Sequence, residues 1–258
     1  MIPLTAYRHE KTLTSGHSRP CIIEGETFAG DRHEVVLKLR EDVHGKANGL
    51  ACEYVASRLA RAVGLNVPAP FLIEVTSDFA DSVTDAAASA RYRANLGRHF
   101  GSKLVTPQTH AVPFDHGLPP DLVEPAAAVI AFDALVRNDD RHFQKSNYLV
   151  RGSVVTLIDH ERAFPPARHE LKANPWEPTG LDFIHHHVFF RGVRGEMPDW
   201  AGIAASWSTV TDQDLIAICH DLPPEWNGDG VAQRLETYLL AMRPKVSTVL
   251  GSLEELLR

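Results

Sequence analysis

The amino-terminal part of the chain carries short apolar runs with the two-residue period of β-strands. Strand-like runs occupy residues 21–23 (CII), 34–39 (EVVLKL) and 71–75 (FLIEV). Alternate residues of the second run, from Val35 to Leu39, share one apolar face, as expected of a half-buried strand. The pattern therefore predicts a β-rich first part.

One clear helix is predicted between the second and third strands. In LACEYVASRLARAVGL (50–65), Val55 and Leu59 fall on one apolar stripe, and Gly64 suits the end of a helix. DAAASARYRANLG (85–97), after the third strand, also has a helical composition, and GSKLVTP then leads into a loop.

The pattern becomes mainly helical beyond a Pro- and Gly-rich stretch. We place a boundary between two lobes near Pro107 to Pro113, which divides the chain into 1–109 and 110–258. The fold predicted is α+β, with a β-rich first lobe containing one helix and a mainly helical second lobe. The helical segments of the second lobe are 123–138, 211–222, 230–242 and 244–258.

A β-hairpin interrupts the helices of the second lobe. NYLV (147–150) and VVTLID (154–159) are separated by the turn residues Arg151-Gly152-Ser153. Folding this hairpin brings Asn147 level with Asp159, and cross-strand neighbours lie about 4.5–5.5 Å apart at Cβ. An amide oxygen and a carboxylate at that separation suit one Mg²⁺ ion.

The residues around the hairpin carry a family resemblance. Asp140-Arg141-His142, then Asn147, then Leu157-Ile158-Asp159-His160 resembles the motif order of phosphoinositide lipid kinases. The order is more similar still to that of bacterial HipA-like kinases. This resemblance implies a two-lobed protein-kinase-like fold that uses ATP and Mg²⁺. It implies Asp140 as the catalytic base and Asn147 and Asp159 as Mg²⁺ ligands.

Two features of this loop leave alternatives open. Asp139 stands beside Asp140, and Asp140 is chosen because the D-R-H order begins there. Protein kinases space the catalytic Asp and Asn five residues apart, whereas Asp140 and Asn147 are seven apart and Lys145 occupies the five-apart position. Because lysine cannot ligate a metal, either the loop carries a two-residue bulge or the site is degenerate.

The same resemblance implies further nucleotide-binding residues. Lys38 would position the α- and β-phosphates, and Glu53 from the following helix would hold Lys38. The competing interpretation is that both side chains are solvated. Arg141 either reaches a phosphate or holds the loop by a salt bridge. Ser15 and Gly16 lie in a turn that either covers phosphate or is an ordinary hairpin turn.

Composition narrows the class of protein and its surroundings. The 258 residues suffice for one large or two small domains, and a net charge of −7 argues against a nucleic-acid groove. Cys21, Cys52 and Cys219 are scattered without a C-x-x-C pair, as expected of a reducing compartment. No signal-peptide core or membrane-length apolar run occurs, so we expect a cytoplasmic protein without a membrane partner.

The function predicted is ATP- and Mg²⁺-dependent transfer of phosphate to a protein Ser/Thr or to a small alcohol; the acceptor is not identified. One alternative is a pseudokinase that binds a nucleotide or partner without transfer, motivated by the loop spacing and Lys145. Another is a metal-dependent phosphohydrolase built on Asp139, Asp140, Asp159 and histidines. HipA toxins are longer than this chain, so pairing with a DNA-binding antitoxin is open but less expected.

Overall fold

The amino-terminal strands form a barrel. The computed structural model describes residues 1–14, 18–105, 117–168, 170 and 172–258. The strands are β1 (Ile2–Thr12), β2 (Cys21–Glu26), β3 (Arg32–Lys38), β4 (Pro70–Val75) and β5 (Gly97–Lys103). In the described chain they close in the order β1-β2-β3-β5-β4. All neighbours are antiparallel except β1 and β4, which pair in parallel with Ile2 opposite Phe71.

Alternating apolar side chains fill the barrel. Leu4, Val35, Leu37 and Ile73 are each at most 2% exposed. Val35 and Leu37 are the residues whose shared face the sequence predicted, and both point inward. Closing the sheet on itself pairs every strand on both sides, so none of the five is left as an open edge.

Two barrel strands were not predicted. In β1 the inward side chains are only Leu4 and Ala6, and the strand is bulged, so its alternation is weak in the sequence. In β5 the buried positions include His99 and Gly101, which carry no strand signal.

Within its described residues, the first part contains the helix predicted over 50–65, a helix within the segment of helical composition at 85–97, and one helix that was not predicted. The described helices there are α1 (Ala47–Ala62), α2 (Ser77–Ser82) and α3 (Ala86–Arg93). The Thr76 and Asp85 side chains cap the last two by accepting hydrogen bonds from Phe79 N and Ala88 N. Helix α1 matches the predicted helix but begins earlier, and Gly64 follows its end with φ +84°.

The second part is mainly helical, as expected. Its described helices are α4 (Pro120–Leu135), α5 (Phe190–Val193), α6 (Trp200–Ser208), α7 (Asp212–His220), α8 (Val231–Met242) and α9 (Val246–Leu257). Four of these, α4, α7, α8 and α9, match predicted segments, whereas α5 and α6 were not predicted. Short 3₁₀ turns cover Arg40–Asp42, Pro165–Arg168, Asp182–His186, Pro224–Trp226 and Arg243–Lys245. No helix in the described ranges is long and apolar enough to cross a bilayer.

The predicted hairpin is present as a separate two-stranded sheet. Strands β6 (Tyr148–Arg151) and β7 (Val154–Leu157) pair with Tyr148 opposite Leu157, and Gly152 in the turn has φ +60°. Strand β7 packs against α4. Helix α1 belongs to the same apolar core as the helices of the second part, while a second core fills the barrel. Helix α1 therefore joins the barrel to the hairpin side of the molecule.

The barrel interior leaves no room for a side chain at Gly101. A Cβ there would lie 2.6 Å from Cγ1 and 2.9 Å from Cδ1 of Ile73. We expect Gly101→Ala to lower the free energy of unfolding by about 1–3 kcal/mol through overpacking, measured by urea denaturation. Gly251→Ala on α9 is the control, since no atom lies within 4 Å of its Cβ. Unchanged stability of the Gly101 variant would contradict the packing described.

Candidate active site

Lys38 lies at the centre of a buried group of charges. It is the last residue of β3, and its side chain is 9% exposed. Its Nζ donates to Glu53 Oε2 at 2.7 Å, Asp159 Oδ1 at 2.6 Å and Glu161 Oε2 at 3.3 Å. We call these four residues the Lys38 cluster. The structure thus brings together Lys38 and Glu53, the pair implied by the family resemblance. It places Asp159, one of the predicted metal ligands, beside them.

Glu53 accepts two hydrogen bonds through one carboxylate oxygen. It is 3% exposed within α1, rather than on a solvated helix face. Its Oε2 accepts a second hydrogen bond from the backbone N–H of His160, at 2.7 Å. Helix α1 and the segment after the hairpin are therefore connected through one carboxylate.

The opposite charges of the Lys38 cluster stabilise one another's ionised forms. Burial alone would lower the pKa of Lys38, but Asp159 and Glu53 raise it well above its ordinary value. Burial opposes ionisation of Asp159 as well, and the ammonium groups of Lys38 and Lys145 outweigh it and lower the Asp159 pKa. Both groups are consequently charged at neutral pH.

Glu161 belongs to the cluster and was missed by sequence reasoning. It follows Asp159 by two residues, is 3% exposed and accepts from His44 N at 3.5 Å as well as from Lys38. Burial raises the pKa of Glu161 although Lys38 opposes the rise. Residue 161 lies beyond the last strand of the hairpin, so no strand period could place its side chain. Its proximity to Asp159 in sequence was the available signal.

Asp140 and Lys145 lie next to the cluster. The Lys145 ammonium donates to Asp140 Oδ2 and lies 3.2 Å from Asp159 Oδ2. Asn147 Nδ2 donates to Asp140 Oδ2 at 3.3 Å and to the Asp140 carbonyl at 3.2 Å. The predicted base is thus linked to both predicted metal ligands, to Asn147 directly and to Asp159 through Lys145.

The unusual spacing of the loop has a structural explanation. His142 N donates to Lys145 O at 3.1 Å, and Lys145 N donates to His142 O at 2.9 Å. The two residues between them form a closed turn, which accommodates the extra length of the loop. The expectation that Asn147 lies level with Asp159 was wrong by one residue, because Tyr148 pairs with Leu157 and Ile158 N donates to Asn147 O at 3.1 Å. Asn147 and Asp159 still lie at the same end of the hairpin. Both have positive φ, +51° and +61°.

The buried Arg141 side chain fixes this loop by hydrogen bonds. Its guanidinium is fully buried, donates to Asp133 Oδ2 at 2.6 Å, and also bonds the carbonyls of Asn147 and Ile158. His187 completes the network, with Nε2 3.0 Å from Asp133 Oδ2. Of the two roles weighed for Arg141, the geometry favours holding the loop, because a buried side chain offers no surface to a phosphate. Asp133 was not singled out from the sequence.

Asp139, the other acidic residue of the loop, faces Lys172 and not the Lys38 cluster. Asp139 Oδ2 accepts from Lys172 at 2.6 Å and lies 4.0 Å from Arg137. Of the two adjacent aspartates, Asp140 is the one that contacts Lys145 and Asn147. The geometry therefore favours Asp140 over Asp139 as a base. Ser15 and Gly16 lie outside the described residues.

The donor set of the Lys38 cluster suits a hard cation. Among the described residues, Glu53, Asp159 and Glu161 each offer a carboxylate oxygen, and these oxygens lie within 4.8 Å of one another. Mg²⁺ prefers such oxygen ligands. Asp139 points to Lys172 and does not join them, so the set imagined for a phosphohydrolase is not assembled.

Comparisons with known proteins identify the family and the fold. A family model described as HipA-like kinase matches residues 14–252. Among solved structures, the chain is similar to a Helicobacter pylori proinflammatory kinase, CtkA, with a TM-score of 0.58, 13% identity and 97% of each chain covered. It is also similar to the Rio2 kinase of Chaetomium thermophilum, solved with ADP/Mg²⁺ and phosphoaspartate, with a TM-score of 0.43, 13% identity, and 93% of this chain and 72% of that chain covered. A comparison with curated proteins finds no match. The likeness to CtkA shows a protein-kinase-like fold.

The buried pair of Asp133 and Arg141 generates a stability prediction. Asp133→Asn leaves the Arg141 charge buried without its partner, which costs about 3–5 kcal/mol in comparable sites. Despite burial, Arg141 and His187 lower the pKa of Asp133 below its unfolded value. Its contribution is therefore fully present above about pH 4 and is lost as pH falls through the folded pKa.

We thus expect urea denaturation to show a large deficit of the Asp133→Asn variant at pH 7 that shrinks as the solution is acidified. Asp81→Asn is the control: its side chain is 61% exposed in a pair with Arg93, and such pairs contribute at most about 1 kcal/mol. Equal losses in both variants at pH 7 would show that Arg141 does not depend on Asp133.

Proposed function

Because the chain belongs to the HipA-like kinase family, and so is a kinase-type phosphotransferase, we propose that it transfers the γ-phosphoryl group of ATP to a hydroxyl of a protein Ser/Thr or a small alcohol. The observation that carries this proposal is the Lys38 cluster. It joins the last residue of a barrel strand, a buried glutamate of α1 and the aspartate after the hairpin. Protein kinases need such a junction to place ATP between two lobes.

Lys38 would bind the α- and β-phosphates, and Glu53 would orient it. The 2.7 Å contact between Nζ and Glu53 Oε2 supports this assignment. The His160 N–H donates to the same Glu53 oxygen, so the ammonium would keep its contact with a fixed carboxylate while its other contacts exchange for phosphate oxygens. We also propose that residues 1–109 form the nucleotide-covering lobe and 110–258 the catalytic lobe.

Asn147 and Asp159 would hold Mg²⁺, which supplies neutralisation of the phosphate charge when bound. Their position at one end of the hairpin, and the lowered pKa of Asp159, support this role. Arg141 bonds the carbonyls of Asn147 and Ile158, so it fixes the backbone on which both ligands depend.

Asp140 would accept the proton of the acceptor hydroxyl. The acceptor oxygen then forms a bond to the γ-phosphorus, the bond from that phosphorus to the β–γ bridging oxygen breaks, and ADP leaves. The Lys145 ammonium contacts both Asp140 and Asp159. This proximity of the two carboxylates supports the proposal that the reacting atoms lie between them. Chemistry of this kind depends mainly on positioning and charge stabilisation.

One observation favours a second candidate, a nucleotide-binding pseudokinase. The Lys145 ammonium contacts both Asp140 and Asp159, the two carboxylates that transfer would require. If Lys145 stays there when ATP is bound, it blocks the base and one metal ligand. Transfer of label from [γ-³²P]ATP to the protein or to components of a cell lysate distinguishes the two candidates. Mg-ATP binding without any labelling would mean that the pseudokinase is correct.

Substitution of Asp140 and substitution of Asp159 are predicted to impair different steps, phosphate transfer in the first case and ATP binding in the second. We expect Asp140→Asn to lower transfer by about 10²–10⁴-fold, the usual contribution of a general base, with Mg²⁺-dependent ATP affinity close to wild type. Asp159→Asn should lose Mg²⁺-dependent ATP binding as well, because its role is to hold the ion. Radiolabel transfer and calorimetry provide the two measurements.

Asp139→Asn is the control for the adjacent carboxylate and should transfer phosphate at nearly the wild-type rate, since its side chain faces Lys172. Wild-type transfer by Asp140→Asn together with a loss in Asp139→Asn would assign the base to Asp139 instead. Loss of both binding and transfer in every variant would indicate damage to the fold rather than to the site.

Lys38→Met should weaken ATP binding at least tenfold or so, because a phosphate contact that carries charge is removed. It should also unfold more readily at neutral pH than at pH 5, since three buried carboxylates lose their shared ammonium and regain stability on protonation. Calorimetry below the melting temperature, with circular dichroism as a check on folding, measures both effects.

Lys103→Met is the matched control, because this exposed strand lysine lies on the neighbouring strand β5. Normal ATP affinity in a folded Lys38→Met protein would show that Lys38 has only a structural role.

A further inference from the structure

Three carboxylates in the Lys38 cluster share one ammonium group. Glu53 and Glu161 are each 3% exposed, and the Asp159 side chain is 20% exposed. Lys38 Nζ contacts all three, while Lys145 reaches only the outer oxygen of Asp159. Buried carboxylates require compensating positive charge. The cluster therefore depends on Lys38 remaining in place or being replaced by another cation.

A second polar group points into the cluster without a hydrogen-bond partner. The His160 ring is 1% exposed, and among the described residues neither of its nitrogens makes a hydrogen bond. Its Nδ1 lies 3.7 Å from Glu53 Oε1, beyond hydrogen-bond distance. Buried polar atoms without partners are uncommon in folded proteins. An uncommitted imidazole beside three carboxylates is a feature of a site that accepts positive charge.

The proposed function requires Lys38 to turn toward phosphate. Asp159 Oδ1 and Glu161 Oε2 lie 2.6 and 3.3 Å from the same Nζ, so they face a common point that the ammonium would leave. Without a replacement, the buried Glu161 carboxylate and the partly exposed Asp159 carboxylate would then face each other across that point. A divalent ion with bonds of about 2.1 Å joins oxygens up to about 4.2 Å apart. One carboxylate oxygen of each of the three residues lies within 4.8 Å of the others, so a small adjustment of the side chains would bring them into that range.

We propose that Glu161 is a ligand of the divalent cation, which it shares with Asp159 at the position that Lys38 leaves. This inference rests on the proposed function and adds to it a third protein ligand beside Asn147 and Asp159. The donor set of two carboxylates and an amide selects a hard, oxygen-preferring cation such as Mg²⁺ or Mn²⁺. Departure of Lys38 and entry of the cation are then coupled, because each requires the other.

Direct binding of Mn²⁺ tests the assignment without measuring activity. Free Mn²⁺ is counted by electron paramagnetic resonance in titrations of the protein saturated with a non-hydrolysable ATP analogue. We expect Glu161→Gln to weaken Mn²⁺ binding by roughly tenfold or more, the range seen when groups that support a bound metal are removed. Glu161→Asp, which keeps the charge, should lose less. Glu254→Gln, an exposed pair with Arg258 on α9, is the matched control and should bind as wild type does.

A second arm needs no nucleotide. Lys38→Met should bind Mn²⁺ more tightly than wild type, since the competing ammonium is gone, and the double variant Lys38→Met/Glu161→Gln should lose that gain. This arm decides the inference even if the wild-type protein binds no ATP analogue, an outcome that would overturn the proposed function.

The inference is overturned if Glu161→Gln and Glu254→Gln bind Mn²⁺ alike in the analogue complex, or if the double variant keeps the gain of Lys38→Met. A change in analogue affinity measured without metal, with Mn²⁺ affinity unchanged, would also overturn it, because Glu161 would then only position Lys38. Circular dichroism and thermal melts establish that each variant is folded, and the two arms use different backgrounds, so misfolding in one leaves the other decisive.

Discussion

The contact of Lys38 with three carboxylates is the interaction on which the rest of the site depends. It is the point at which the barrel, helix α1 and the segment after the hairpin meet. Because the group is buried, its charges are strongly coupled, and removing one leaves the others without compensation. Under the proposed function the same property would make the group responsive to a nucleotide, because a polyphosphate would attract the ammonium and a divalent cation would balance the carboxylates. Stability and the proposed nucleotide binding would then depend on the same four residues.

A second buried network supports this one. Arg141 binds Asp133 and the backbone carbonyls of Asn147 and Ile158, which flank the two strands of the hairpin, and His187 bonds the same aspartate. This network fixes the loop that contains Asp140 from inside the helical part, where the side chains are withdrawn from solvent. The loop above it can then carry the closed turn between His142 and Lys145 without displacing the hairpin. The site thus combines a rigid buried network around Arg141 with the Lys38 cluster, whose ion-pair contacts would exchange when a nucleotide binds.

Much of the architecture follows from local patterns, and the remainder depends on contacts between distant segments. The hairpin could be predicted because strand alternation and a short turn determine it, but its register could not, and Asn147 lies level with Ile158 instead of Asp159. The pairing of Lys38 with Glu53 came from family resemblance; their burial could not be predicted from the helix stripe. Strand β1 was missed since only Leu4 and Ala6 point inward, and its place in the barrel depends on pairing with β4. Asp133 was available as a signal, a lone charge within an apolar helix, but its partners come from a loop and a distant turn.

A structure of the protein with Mg²⁺ and a non-hydrolysable ATP analogue tests the central claim most directly. The account predicts that Lys38 Nζ contacts the α- or β-phosphate while keeping its contact with Glu53, and that the metal is bound by Asp159. It further predicts that Lys145 no longer bridges Asp140 and Asp159. A complex in which the nucleotide lies elsewhere, with Lys38 still enclosed by Glu53, Asp159 and Glu161, would contradict the account.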